Sequence, residues 1–361
     1  MWPSHRLCDL LGIALPIVQA PMAGAGGTAL AIAAAEAGAL GSLPCAMLDE
    51  AQARKDVQIF RQQSGRPLNL NFFCHKPASA DPDSQRAWKD SLQGYYRGLG
   101  LDPDQEVSAV NRAPFDAAFC ALVEETRPDA VSFHFGLPEA ALLARVKAAG
   151  SKILASATTV AEARWLEAQG IDAIIAQGNE AGGHRGIFLT DRPDSQPGTF
   201  ALVPQVVDAV ALPVIAAGGI ADGRGIAAAF ALGADGVQIG TAFLRSKESL
   251  ISPLHRKALE GAGDDSTAVT NLFSGRPARG VMNRLMREQG PLSETAPAFP
   301  TAGGALAPLK KAAEAQGSSD FSSLWAGQAV ALARDGEAAA VVERLAADAQ
   351  ACLAALSKAS D

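Results

Sequence analysis

Eight short apolar runs punctuate the first two-thirds of the chain: Pro16–Ala20, Ala39–Pro44, Pro67–Phe73, Ala130–Phe135, Lys152–Ala157, Ala173–Gln177, Pro213–Ala217 and Gly236–Gly240. Most are continuously hydrophobic rather than alternating, as expected of parallel strands covered by helices. Between them, Ala29–Ala37, Glu139–Ala149, Ala161–Gln169 and Gly223–Leu232 carry apolar residues at spacings of three and four and predict helices. Three of these stretches end in a glycine stop that runs straight into the next apolar segment, at Gly150, Gly170 and Gly233. Eight strands with interleaved helices define an α/β chain and predict a (β/α)8 TIM barrel. An open doubly wound sheet has a similar rhythm. Its dinucleotide fingerprint is not met here, because Gly24-Ala25-Gly26-Gly27 does not give G-x-G-x-x-G: position 29 is Ala.

Two insertions break the rhythm. One runs from Phe73 to Ala130, with Asp/Pro-rich turns and a helical stretch near Ser84–Arg97. The other begins after Leu244, where strand–helix alternation stops and helices with a Gly/Pro-rich connection (Gly290–Leu309) take over. The expected organisation is a barrel over residues 1–244, a helical lid or side domain over 245–324, and a segment 325–361 whose amphipathic stretch Glu337–Leu356 returns to the barrel as its last helix.

Composition limits the partners. The 361 residues carry a formal charge of −7, so neither nucleic acid nor an anionic membrane is the expected partner. No apolar run is long enough for a membrane span, and the opening MWPSHRLCDLLG does not read as a secretion leader. Five scattered cysteines without a C-x-x-C pair suit a reduced, cytoplasmic setting better than a disulfide framework or a zinc site. The 35 glycines are dispersed, which predicts tight turns and close backbone approaches to a ligand rather than a linker.

In a barrel, chemistry sits at the C-terminal ends of the strands. Gly218 and Gly219 follow the seventh strand, and Gln238-Ile239-Gly240-Thr241 closes the eighth. Small residues at these two ends let backbone N–H groups face a phosphate, with Thr241 adding a hydroxyl; a plain Gly-Gly turn is the competing reading. After the sixth strand, Gln177 is placed to bond a heterocycle edge, Gly182 and Gly183 allow a planar ligand or phosphate to approach, and His184 and Arg185 add polar or cationic character. His134 lies in Val131-Ser132-Phe133-His134-Phe135-Gly136 at the mouth of the fourth strand, where a neutral imidazole could take a proton from a carbon acid; a satisfied core histidine is the alternative. Ala20, Pro21 and Met22 follow the first strand, with Met22 suited to a ring face and Asn71 to its polar edge, beside Asn69. No Ser-His-Asp order, paired strand-end carboxylates or metal-ligand spacing such as H-E-x-x-H is present.

Taken together, QAPMAG, LNLNFF, VSFHFG, AQGNEAGGHRG, IAAGGI and VQIGTAFL resemble the nitronate monooxygenase family, formerly called 2-nitropropane dioxygenases, over about Ile17–Leu244. GRPARGVMNRLMRE and LWAGQAV further along resemble its bacterial class. The resemblance implies non-covalent FMN, with Asn71, Gln177, Gly182, Gly219 and Gln238–Thr241 at flavin-contacting positions and His134 as the catalytic histidine. It also implies a small nitronate or nitroalkane substrate oxidised by O2 to a carbonyl compound and nitrite. Relatives that take propionate 3-nitronate carry several tyrosines and a lysine near the substrate. Here the tyrosines are Tyr95 and Tyr96, and the matching stretch reads PAFPTAGGALAPLKK, which points to a shifted substrate range. Two other expectations stand beside this one: an NAD(P)H-dependent reductase of quinones or enoyl thioesters, which the similar enoyl-acyl carrier protein reductases suggest, and a non-catalytic flavin-binding protein.

Overall fold

All eight apolar runs become strands of one parallel sheet in the computed structural model, which describes residues 2–77, 81–107 and 113–358. Parts of the first insertion (78–80 and 108–112) and the ends of the expected first and last segments (1 and 359–361) lie outside the described residues. The strands, in chain order, are β1 (Ile17–Gln19), β2 (Gly41–Pro44), β3 (Leu68–Phe73), β4 (Ala130–His134), β5 (Lys152–Ala157), β6 (Ala173–Gln177), β7 (Gly183–His184), β8 (Val214–Ala217), β9 (Gly236–Ile239), β10 (Thr267–Thr270) and β11 (Ala278–Val281). The large sheet runs β1-β9-β8-β6-β5-β4-β3-β2. It closes where the Gln19 N–H donates to the Leu40 carbonyl and the Leu40 N–H to that of Ile17, each at 2.9 Å. The fold is a (β/α)8 barrel.

Alternation along each strand builds two cores. Leu68, Leu70 and Phe72 of β3, Val131 and Phe133 of β4, Ile153 and Ala155 of β5, and Ile174 and Ala176 of β6 face outward into the cluster shared with the helices. The residues between them face the barrel axis. Ala130, Leu154, Ala173, Ile175 and Ile215 fill its lower part with Leu7, Cys8 and Leu11 of the helix Arg6–Leu11. That helix plugs the N-terminal end so tightly that a Cβ on Gly236 would lie 2.3 Å from Leu7. Higher up, the inward positions become polar, at Asn69, Asn71, Ser132, His134, Ser156, Gln177 and Gln238. The barrel therefore has an apolar base and a polar upper interior.

The three predicted glycine stops adopt left-handed φ values of +94°, +71° and +92° at Gly150, Gly170 and Gly233, a region other residues enter only at a cost. The expected last helix is Ala338–Lys358, packed on Gly223–Ala231 and Thr28–Glu36 in the outer ring. Gly223 is required there, because its Cβ would fall 2.3 Å from the Asp348 backbone. The expected helical stretch in the first insertion is Pro82–Gly98; Trp88, Leu92 and Tyr96 pack it against Gly303–Ala315.

Between 245 and 324 the expected helices are Pro253–Glu260, Arg284–Gln289 and Gly303–Ala315. The hairpin β10–β11 is the part that pattern reading missed. Its strands, TAVT and ARGV, are too short and too polar to stand out. The central strand β11 pairs antiparallel with β7, placing Ala278 opposite His184 and Arg279 opposite Gly183. The loop after β6 is thus held by backbone pairing to a segment nearly a hundred residues further on.

Candidate active site

The polar upper interior opens into a cavity of about 520 Å³ at the C-terminal ends of the strands. Its floor is a hydrogen-bonded stack. Asn69 and Asn71 each donate through Nδ2 to Ser132 Oγ at 3.0 Å, and Asn69 also donates to Ser42 Oγ at 3.0 Å. The Ser42 N–H in turn donates to Gln19 Oε1 at 2.9 Å. Burying such groups unpaired costs about 1–3 kcal/mol each, so these bonds fix rotamers as well as polarity; in the stack Asn69 Oδ1 is the acceptor left without a partner.

His134 occupies the next inward position above Ser132. Its Nε2 lies 3.1 Å from the His184 carbonyl and its Nδ1 lies 3.0 Å from Ser156 Oγ. A carbonyl can only accept, so Nε2 carries the proton and Nδ1 offers its lone pair to the Ser156 hydroxyl. Burial, with the nearby positive charges of Arg276 and Arg185, pushes the imidazole down to about 3, while the bond to the His184 carbonyl partly opposes this. His134 is therefore neutral at physiological pH.

Gln177 holds the loop that supplies that carbonyl. Its Nε2 donates to the His184 carbonyl at 3.0 Å, and its Oε1 accepts from the Gly186 N–H at 2.8 Å. A Cβ on Gly186 would sit 3.0 Å from His134 Cε1 and 3.1 Å from Ser156 Cβ, so only glycine lets the loop close over the pair. Further along, buried Glu162 accepts from the Phe188 N–H at 2.7 Å and from the Thr158 N–H and hydroxyl at 2.7 and 2.6 Å. Arg276 donates to the Ile187 carbonyl and lies 4.0 Å from the Phe135 ring centroid. Burial lowers Arg276 to about 10, which leaves it cationic.

Across the cavity, the wall is mostly backbone. Gly218 and Gly219 have φ of +113° and +71°, and Gly240 precedes the short helix Thr241–Leu244, whose first amides lack intrahelical acceptors. Thr241 Oγ1 accepts from the Gly327 N–H at 2.9 Å and keeps its own proton to donate. Gly182 and Gly327 let two loops meet backbone to backbone, since a Cβ on Gly182 would lie 2.5 Å from the Gly327 nitrogen. Gln238 also lines this side, and its Oε1 is buried with no hydrogen-bond partner. Toward the mouth lie Met47, Leu250, Trp325, His255 and Lys310. Burial, then the Lys310 charge, lowers His255 to about 4.

Of the residues singled out in the sequence, Ala20, Pro21, Met22, Asn71, His134, Gln177, Gly182, Gly183, His184, Gly218, Gly219, Gln238, Gly240 and Thr241 all line this one cavity. Three others do not. Ile239 is buried in the outer core, and its carbonyl accepts from the Ala20 N–H at 2.8 Å. Asn69 lies in the stack beneath the floor. Arg185 turns away, donating to the Gly178 and Gln177 carbonyls at 2.6 and 2.8 Å, so it braces the loop and adds no charge to the cavity surface. Ser132, Ser156, Glu180, Lys310 and Trp325 line the cavity without having been singled out. Counting inward positions along β4 and β5 would have found the two serines; only the tertiary fold brings in the others.

A closed (β/α)8 barrel with a polar, glycine-edged cavity at its C-terminal mouth defines a barrel enzyme. A family model for nitronate monooxygenase matches residues 4–348. The chain is 44% identical to a nitronate monooxygenase of Paraburkholderia phytofirmans over 344 residues, covering 95% of this chain and 94% of that one. It superposes on the nitroalkane oxidase of Streptomyces ansochromogenes with a TM-score of 0.88 at 39% identity, covering 97% and 99% of the two chains. It is also similar to FabK from Thermotoga maritima, with a TM-score of 0.73, 27% identity and 99% of each chain covered. The chain belongs to the nitronate monooxygenase family and is an oxidoreductase.

Proposed function

We propose that this enzyme binds FMN non-covalently in the cavity and oxidises alkyl nitronates, using O2, to a carbonyl compound and nitrite. The reaction class rests on the family and on the similarity to a nitroalkane oxidase. The observation that carries the cofactor is the orphaned Gln238 Oε1. A buried acceptor without a donor is costly, and an N–H on the edge of a bound heterocycle would satisfy it. Gly218, Gly219, Gly240 and Thr241 would hold the phosphate, Ala20, Pro21, Met22, Gly182 and Gly183 would flank the ligand, and Asn71, Gln177 and Gln238 would meet its polar edges. When bound, FMN supplies the two-electron redox chemistry.

The protein's own part is to orient substrate and control protons. A preformed nitronate has already lost its α-proton, whereas a neutral nitroalkane must surrender one, and neutral His134 is the base for that step. Lys310 and His184 would attract the anionic substrate, and the segment 245–324 serves as the lid that carries Lys310 to the cavity. A cytoplasmic location belongs to this reading, supported by five free cysteines. No helix among the described residues is long and apolar enough to cross a membrane.

Purified protein should be yellow and release FMN, and anaerobic addition of a nitronate should bleach it. Release of FAD, or a colourless protein that cannot be reconstituted with FMN, overturns the cofactor reading. The similarity to FabK favours a second reading, a reduced-nicotinamide-dependent reductase. Rapid anaerobic bleaching by NADH or NADPH, with none by nitronates, would replace the first reading with that one.

A further inference from the structure

Register and hydrogen bonding place a second group in the proton-transfer step. β4 and β5 pair with Ser132 opposite Leu154 and Phe133 opposite Ala155. One step on, His134 and Ser156 are neighbours with both side chains directed into the barrel, and they meet at 3.0 Å. The Nε2–H is committed to the His184 carbonyl, which also takes the Gln177 amide, so the imidazole cannot turn its Nδ1 elsewhere without losing a bond. The basic nitrogen is therefore covered by a hydroxyl, and that hydroxyl lines the cavity.

We propose that Ser156 relays the substrate proton to His134, a role that rests on the nitronate-forming reading above. The substrate α-C–H bond breaks and its electron pair moves into the nitro group, giving the nitronate. The proton lands on Ser156 Oγ as the hydroxyl proton crosses to His134 Nδ1. The resulting imidazolium donates through Nδ1 to Ser156 and through Nε2 to the His184 carbonyl, beside a nitronate of opposite charge. After product leaves, the proton returns to solvent by the reverse path. Three features favour the relay over a merely supportive serine. Gly186 packs over the pair so closely that an added Cβ would lie 3.0 Å from His134 Cε1 and 3.1 Å from Ser156 Cβ, which leaves no room for an inserted water on that side. Among the described residues, the Ser156 oxygen has no hydrogen-bond partner other than His134. Ser132 occupies the analogous inward position one step below and is bound by two asparagine amides, as a structural serine would be.

The test compares nitroethane with preformed ethyl nitronate in FMN-loaded wild-type, Ser156→Ala and Ser156→Thr protein. Ser156→Ala should lower kcat/KM for nitroethane about 10²-fold more than for the nitronate, the range expected for losing a positioned proton-transfer group. Ser156→Thr, which keeps a hydroxyl, should restore much of that difference. In wild type, nitroethane turnover in mixed H2O/D2O should show a normal solvent isotope effect with a linear inventory, because one exchangeable proton, that of Ser156, moves together with the carbon-bound one. In Ser156→Ala the solvent effect should vanish while the isotope effect of α-deuterated nitroethane remains. The ¹⁵N signal of His134 Nδ1 should shift in Ser156→Ala without any substrate present. Equal losses on both substrates, or the absence of a solvent isotope effect on nitroethane turnover in wild type, overturn the relay while leaving the nitronate reading intact. A wild-type enzyme that oxidises the nitronate but neither oxidises nor α-exchanges nitroethane also overturns it. Failure of wild type on the nitronate itself overturns the functional reading instead.

Discussion

On the β3–β6 side of the cavity, the groups that face the ligand are side chains, Asn71, Ser132, His134, Ser156 and Gln177, bound to one another or to the neighbouring loop. On the β8–β9 side they are mainly backbone, exposed by Gly218, Gly219 and Gly240, with Gln238 the one amide whose oxygen is left over. The first wall sets protonation: the carbonyl of His184 fixes which imidazole nitrogen is basic. The second wall leaves the Gln238 acceptor and the glycine edges open, and under the proposed function these take the ligand. On that proposal, chemistry that depends on proton position is separated from the grip on an anion. A change on one wall should leave a signature different from a change on the other.

The largest effect is expected from the glycine wall. Gly219→Asp would set a carboxylate on a Cβ that would lie 3.4 Å from Glu180 Cβ, adding negative charge at the proposed phosphate position. Like-charge juxtaposition costs several kcal/mol, so the purified variant should carry almost no flavin and be inactive on every substrate. Normal flavin content by absorbance would remove Gly219 from the cofactor site. On the other wall, His134→Asn should keep its flavin and lose roughly 10²–10⁴-fold on nitroethane, with a much smaller loss on the nitronate. Equal losses in steady-state kinetics would make His134 a positioning group and dissolve the division between the walls.

The smallest effect concerns pH. Because burial holds His134 at about 3, well below the ordinary histidine value of 6.5, its base form persists throughout the range where an exposed histidine would protonate. Nitroethane kcat/KM should therefore show no acidic limb between pH 8 and 5; a fall with an apparent pKa near 6.5 contradicts this. Stability moves the other way. As pH drops below 6.5, the unfolded chain takes up protons that folded His134 refuses, so unfolding gains at most about 1.4 kcal/mol per pH unit from this group. His255, lowered to about 4, adds in the same sense. Chemical denaturation at pH 7 and 5 should show that loss, and His134→Asn should reduce it.

The barrel was legible because its signals are local. Apolar runs, spacings of three and four, and glycine stops each follow from the residues concerned, and strand bounds agree with the pattern to within two residues. Most of the cavity residues were legible too, since strand ends in a barrel converge on one mouth. Arg185 was misread for a physical reason: a cation in a glycine-rich loop looks available, yet this one is buried and donates to the carbonyls of that same loop. The hairpin β10–β11 escaped because two four-residue segments become strands only by pairing with each other and, for β11, with β7.

The sequence alone determined the eightfold alternation, the glycines at two strand ends and a histidine at a third, because these depend on periodicity and on backbone freedom at single positions. The tertiary structure decided what that histidine can do. Residues 134, 156 and 184 stand far apart in the chain, with no Ser-His-Asp order to connect them. Strand register brings Ser156 beside His134, and the β7–β11 pairing together with the Gln177 amide holds the His184 carbonyl against its other nitrogen. Which nitrogen is basic, how far burial suppresses its charge and which hydroxyl covers it are properties of that packing, since each depends on groups that only folding brings within hydrogen-bonding distance.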